Sequence, residues 1–224
     1  MRLVQITPPA AEPVTLAEAK LHARIEYSDD DALVTSLITA ARRYCETAIR
    51  AAFITQTWTL MLDSFPSAGG YYNRAIREIW PSLGGLPSGL GFYPGMIPNS
   101  TGVIDIPLPP LQSITSVKYY DFAGILQTVN PTTYNVSLGT PGRIQPAYSM
   151  VWPISRPTID CVQITFVCGQ GAAGANVSPN VQTAIKMLVA HWYENREAVA
   201  QGQFGSVPMC VDALLSPDEP GIYA

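Results

Sequence analysis

Gly169-Gln170-Gly171-Ala172-Ala173-Gly174 has the G-x-G-x-x-G spacing that lets a backbone close on a dinucleotide pyrophosphate. That chemistry needs a helix to begin inside the glycines, so that its first N–H groups meet the phosphates. Here the capping residue is Ser178, beyond the last glycine, and the acidic residue at the expected distance, Glu194, falls within a helix. The segment therefore reads as a flexible strand-to-helix connection, and no cofactor is expected. His191 shares a helix face with Glu194 and Asn195, a spacing that could pair a base with an orienting group. No Ser or Cys nucleophile stands in a G-x-S-x-G context to use it. His191 and His22 read as helix histidines with satisfied rings. Cys45, Cys161, Cys168 and Cys210 form no C-x-x-C pair, and with two His they do not make a tetrahedral zinc set. They read as reduced, mostly buried thiols. Asp29, Asp30 and Asp31 could suggest a cation site, but they also suit a solvated first helical turn at the positive end of its dipole. Asn99, Asn135 and Asn176 open Asn-x-Ser/Thr triplets that read as chance matches. No catalytic or metal site is expected, and the chain does not read as an enzyme.

Composition points instead to contact with other proteins. The chain has 224 residues, of which 13 are Lys or Arg and 17 are Asp or Glu. Charged residues make up 13%, about half the usual share, while the hydrophobic fraction of 47% is ordinary. Disorder needs the opposite balance. No apolar run is long enough to span a membrane, and no secretory leader is read at Met1. A net charge of −4 argues against a surface built to grip phosphates. The charges are uneven: 13 lie in residues 1–52, 10 in residues 53–177 and 7 in residues 178–224. The long middle is thus the charge-poor part, and a charge-poor surface is often a covered one.

The elements follow the same division. Thr15 and Glu18 have capping-box spacing ahead of a helix over 16–25. Ser28 and Asp31 repeat it ahead of a helix over 29–51, whose stripe of Leu33, Val34, Leu37, Ile38, Ala41, Tyr44, Cys45, Ala48 and Ile49 is the buried face. Arg42, Arg43, Glu46 and Arg50 are expected on its other side. From Phe53 the period falls to two, with Trp58, Leu60 and Leu62 on one face. Strands are expected at 103–106, 114–120, 125–129, 134–138 and 161–168, with a hairpin turn at Asp121–Gly124. Ser178 and Pro179 open a last long helix to about residue 199, with Val181, Ala184, Ile185, Leu188, Val189 and Trp192 buried. Residues 66–102 hold eight Gly, five Pro and three charges, with Tyr71, Tyr72, Trp80, Phe92 and Tyr93 among them. Such a long aromatic loop reads as an extended arm that orders against a partner or neighbour. The fold expected is α+β: residues 1–52 and 178–224 a helical bundle of two N-terminal helices and a C-terminal helix, with residues 53–177 inserted as an antiparallel β domain.

Several stretches taken in order resemble one family. They are Pro13-Val14-Thr15-Leu16-Ala17-Glu18-Ala19-Lys20, the acidic Asp29–Asp31 patch, Ile54-Thr55-Gln56-Thr57-Trp58, Leu108-Pro109-Pro110-Leu111-Gln112-Ser113-Ile114 and Ala190-His191-Trp192-Tyr193-Glu194-Asn195-Arg196-Glu197. The chain is similar in this to the head–tail connector (neck adaptor) proteins of tailed bacteriophages; residues 66–102 depart from the family pattern.

The resemblance implies a virion protein made in the host cytoplasm, forming a ring, commonly a dodecamer. Its partners would be the portal protein above, a head-closure or tail-completion protein below, and genomic DNA passing through the lumen without being held. A lumen short of Lys and Arg suits that passage. The resemblance makes residues 209–224 the portal-binding tail, with Cys210, Val211, Leu214, Leu215, Ile222 and Tyr223 as contacts. Asp29, Asp30 and Asp31 are candidates for the lumen face. An alternative is a tail-tip or host-surface binder that uses the aromatic arm.

Overall fold

The computed structural model describes residues 1–66, 102–196 and 209–220. The chain is mixed α+β, with every strand pairing within its sheets antiparallel. Strand β1 (Arg2–Thr7) leads to α1 (Leu16–Ala23) and α2 (Asp31–Ile49). Then come β2 (Gln56–Leu62), β3 (Ile104–Ile106), β4 (Leu111–Tyr120), β5 (Leu126–Thr128), β6 (Tyr134–Ser137), β7 (Gly142–Pro146) and β8 (Val162–Cys168). Helix α3 (Pro179–Glu194) and the short α4 (Met209–Leu215) close the fold.

The helices begin and end where local chemistry sets them. Thr15 and Glu18 form the expected capping box: the Thr15 hydroxyl accepts from the Glu18 N–H at 3.3 Å, and the Glu18 carboxylate accepts from the Thr15 N–H at 2.8 Å. Those hydrogen bonds, the backbone one foremost, hold the Glu18 carboxyl below its ordinary range. The expected box at Ser28 does not form. Asp30 is the N-cap residue of α2 and makes no side-chain cap bond, because its carboxylate is drawn to the end of α3. Ser178 caps α3 by accepting from the Asn180 N–H, with Pro179 at the first turn.

One core joins the helices. Val34, Ile38, Ala41, Cys45 and Ile49 of α2 meet Val181, Ala184, Ile185, Leu188 and Val189 of α3, with Val14, Ala19 and Val211 filling between. Each large side chain buried there contributes about 1.5–3 kcal/mol relative to exposure. Phe53 and Ile54, placed with the β unit by the period change, belong to this helical core, and β2 starts at Gln56. Tyr44 and Trp192 complete the stripes edge to face at 6.1 Å.

The second core lies between two sheets. The larger has the order β1-β2-β8-β4-β5 and the smaller β3-β7-β6. Strand β8 alternates as a half-buried strand must, with Val162, Ile164, Phe166 and Cys168 buried against Leu60, Val117 and Ile144. On the opposite face Thr59 and Thr165, directly paired, share a hydroxyl hydrogen bond of 3.0 Å. Two strands were not read from the sequence. β1 shows apolar residues at both parities, Leu3 against Val4 and Ile6, so no period stands out. β7 carries Gly142 and Pro146, residues that weaken a strand pattern.

The glycine run at 169–174 is a hydrogen-bonded joint, not the flexible connection expected. Gln170 donates to the Phe53 carbonyl, Thr55 to the Gly171 carbonyl, and Gln112 to the Gly169 carbonyl. Gly169 has φ +126°, and a Cβ there would stand 2.6 Å from the Ile54 carbonyl carbon. The glycines allow backbone to approach backbone.

Candidate functional site

Among the described residues, no group of three or more His, Cys, Asp or Glu is placed to hold a metal ion. His191 sits at the end of α3, where Asn195 donates to its carbonyl through both its backbone N–H, at 3.0 Å, and its side chain, at 2.9 Å. That is a helix cap. The functional features are joints and surfaces.

The first joint fixes the helices to the sheet. Arg42 is 5% exposed, whereas the sequence reading placed it on the solvent side of α2. Its guanidinium donates to Glu12 at 2.7 Å and to Glu46 at 2.7 Å. Glu46 also accepts from the Phe53 N–H at 3.1 Å and from the Gln56 amide at 2.9 Å. The Gln56 side-chain oxygen, Oε1, accepts from the Gln5 amide at 2.8 Å and from the Trp58 indole at 3.0 Å. The chain of bonds thus runs from the segment after β1, through α2, into β2. It is the two carboxylates, one from Glu46 a helical turn along α2 and one from Glu12 in the segment before α1, that let Arg42 be buried.

The second joint sits at the end of α3. The Asp30 carboxylate accepts from the Tyr193 hydroxyl at 2.6 Å and from Arg196 at 2.7 Å. Tyr27 and Tyr193 share a hydroxyl hydrogen bond of 3.0 Å, and Arg196 lies over the Tyr193 ring at 4.6 Å. The Tyr193 bond, then the Arg196 bond, hold the Asp30 carboxyl below its ordinary range. Asp31 pairs with Lys20 at 2.5 Å. Of the three aspartates offered for a lumen face, Asp30 and Asp31 are therefore engaged within the chain, and Asp29 is exposed.

The third feature is the base of the arm. Trp152 stacks on Phe65 at 4.9 Å, nearly parallel, and its indole N–H donates to the Gly102 carbonyl at 2.6 Å. One side chain thus holds both ends of the 66–102 stretch. Tyr71, Tyr72, Trp80, Phe92 and Tyr93 lie outside the described residues. Sequence reasoning missed Trp152, whose signal was a lone aromatic in a proline-rich stretch.

Helix α4 packs on α3. Val211 and Leu215 are buried in the chain's own core. Leu214 is half-buried and Cys210 exposed. Ile222 and Tyr223 lie outside the described residues. Cys45, Cys161 and Cys168 are buried free thiols, and burial pushes Cys45 and Cys168 up to about 12.

Exposed apolar side chains gather on the β unit. Phe122, Ile125 and Leu126 stand on the β4–β5 hairpin, and Tyr148, Met150, Val151, Ile154 and Ile159 on the segment before β8. On the helical side, Ala11, Glu12, Val14, Leu16, Thr35 and Ile38 line an open, mostly apolar hollow of about 240 Å³.

The chain resembles the phage head–tail connector family, and its residues 13–79 match the profile of the phage gp6-like head-tail connector proteins. Its fold is shared with a chain in the neck of an empty gene transfer agent (GTA) particle computed with C6 symmetry: TM-score 0.71, 20% identity, covering 100% of this chain and 98% of that one. A chain from the virion of the native GTA particle is similar at TM-score 0.69 and 20% identity, over 97% of this chain and 94% of that one. A third, from the neck of the native particle computed with C12 symmetry, is similar at TM-score 0.62 and 22% identity, over 96% and 94%. The comparison with curated proteins finds no match.

Proposed function

We propose that this chain is a structural neck protein of a tailed phage or phage-like particle, a head–tail connector that forms a ring beneath the portal. The observation that carries the reading is the agreement of two independent likenesses. The family profile matches the α1–α2 region, and the neck chains match the fold over nearly all of its length. The exposed apolar surface of the β unit and the low charge of residues 53–177 support it, since both suit surfaces that live between proteins.

In this reading α1, α2 and α3 form the bundle of the connector, and the β domain is made of the strands between α2 and α3 together with β1, which precedes α1 and forms an edge of the larger sheet. The ring is a dodecamer. Its portal contact comes from the outer side of α4, including Cys210 and Leu214, and from the residues that follow. The 66–102 arm, held at its base by Trp152, reaches a neighbour or a tail-side protein. DNA passes through the lumen, which Asp29 lines, and few basic groups hold it back. The role is structural rather than catalytic.

Quantitative mass spectrometry of purified particles tests this. The chain should be present at the same copy number per particle as the portal protein, in keeping with a ring seated on it. Absence from particles that carry both head and tail would overturn the reading.

A further inference from the structure

We propose that α4 and the turn after it, residues 209–219, form a strap that lifts from α3 while the rest of the chain stays folded, and that the Asp218 carboxylate is the group that loosens it. The inference stands apart from the ring reading and concerns the single chain.

The hold on α4 is slight beside the hold on its neighbour. Helix α3 buries Val181, Ala184, Ile185, Leu188 and Val189 completely, and the Asp30 carboxylate ties its end to α2 through Tyr193 and Arg196. Helix α4 has seven residues and buries two side chains, Val211 and Leu215. Cys210, Asp212 and Ala213 are exposed, and Leu214 is half-buried. Among the described residues, no polar bond of the Asp30 kind reaches 209–220. The backbone bond beyond the helix is internal, from the Glu219 N–H to the Ser216 carbonyl. A helix this short does not hold itself in water, so its order comes from packing. Two buried apolar side chains must therefore offset the entropy of fixing the backbone of the whole segment.

The turn works against that packing. Asp218 Oδ2 is buried and finds no hydrogen-bond partner among the described residues, while Ser216, Pro217 and Glu219 around it are exposed. A buried acceptor without a donor loses its hydration and gains nothing, and the loss is larger for a carboxylate than for a neutral group. Asp218 also follows the C-terminal end of α4, where the helix carries partial negative charge and no basic residue stands in the last turn to balance it. When the strap lifts, Asp218 regains water. Lifting also uncovers Val211, Leu215 and the side of α3 beneath them, while the stripes of α2 and α3 still meet each other. The chain thus has a closed form that hides an apolar face and an open form that presents it, with the balance set locally.

Amide hydrogen exchange on the whole chain, followed residue by residue, tests this. The last-turn amides of α4, Ala213 to Leu215, should be protected about a hundredfold less than those of Ile185 to Val189, and low urea should not change their exchange. Asp218→Ala should raise the protection of α4 about fivefold or more and leave that of α3 unchanged. Asp218→Asn, which keeps the shape and drops the charge, should act in the same direction. Amides of α4 that exchange in step with those of α3, with the same urea dependence, would overturn the strap. Protection of α4 that is unchanged or lowered in both Asp218 variants would overturn the role given to that carboxylate.

Discussion

Replacing Arg42 by alanine should break the joint between helices and sheet, and its size can be worked from the contacts. Arg42 is 5% exposed and serves two carboxylates, Glu12 and Glu46, each at 2.7 Å. Without it both carboxylates remain, facing each other with no cation between them. Breaking a buried ion pair by removing one partner costs about 3–5 kcal/mol. The Glu12 side chain is 28% exposed and water can compensate it in part, so the lower end, about 3 kcal/mol, applies. For a chain of this length that lowers the thermal midpoint by roughly 6–12 °C. Glu46 would still hold the Phe53 N–H and the Gln56 amide, so the sheet itself should persist. The assay is thermal unfolding followed by circular dichroism, with Arg42→Lys and the neutralised triple variant Arg42→Met/Glu12→Gln/Glu46→Gln alongside. Arg42→Lys should cost less, because it keeps the charge and loses the fork. The triple variant should recover much of the loss, since no unpaired charge is left buried. A shift below 2 °C for Arg42→Ala, or a triple variant no better than the single one, would refute the reasoning.

Three further outcomes follow from the other joints. Trp152→Phe should keep the stack on Phe65 but lose the bond to the Gly102 carbonyl, at a cost of about 1 kcal/mol, whereas Trp152→Ala should cost about 3–5 kcal/mol; denaturant unfolding separates them. Asp30 has a lowered carboxyl, so its pairing with Tyr193 and Arg196 contributes stability above the ordinary carboxylate range and loses it as pH falls through the lowered value. Asp30→Asn should therefore flatten the acid limb of the stability profile below about pH 4. Under native conditions Cys210 should be the thiol that reacts quickly with a disulfide reagent, with Cys45, Cys161 and Cys168 reacting after denaturation; rapid reaction at Cys45 would contradict the packing of α2.

Helical periodicity was the most legible feature. The α2 and α3 stripes name the residues that fill the core, because a five-turn stripe repeats the same demand at every turn. Single residues in the stripe were harder. Arg42 is charged and reads as solvent-facing: Glu46 at i+4 suits an exposed helix pair equally well, and the second partner, Glu12, lies outside the helix where no local pattern announces it. Ser28 had the spacing of a cap, but Asp30 took the capping position and spent its carboxylate on a helix far along the chain. The same logic hides the tail. An apolar run at 210–215 reads equally as a docking strip or as core, and Val211 and Leu215 fill the space beside α3. Trp152 is not legible from the sequence because its contacts, with Phe65, Gly102 and Tyr134, are distant along the chain. What periodicity could not supply was every contact made across the fold by one side chain alone.

The proposed role of this chain is to join head to tail. Electron microscopy of particles produced with the gene intact and with it deleted tests it most directly. The account predicts that deletion leaves heads and tails that are separately normal and unjoined, with joining restored when the chain is supplied in trans. Joined particles at normal yield without the chain would contradict it.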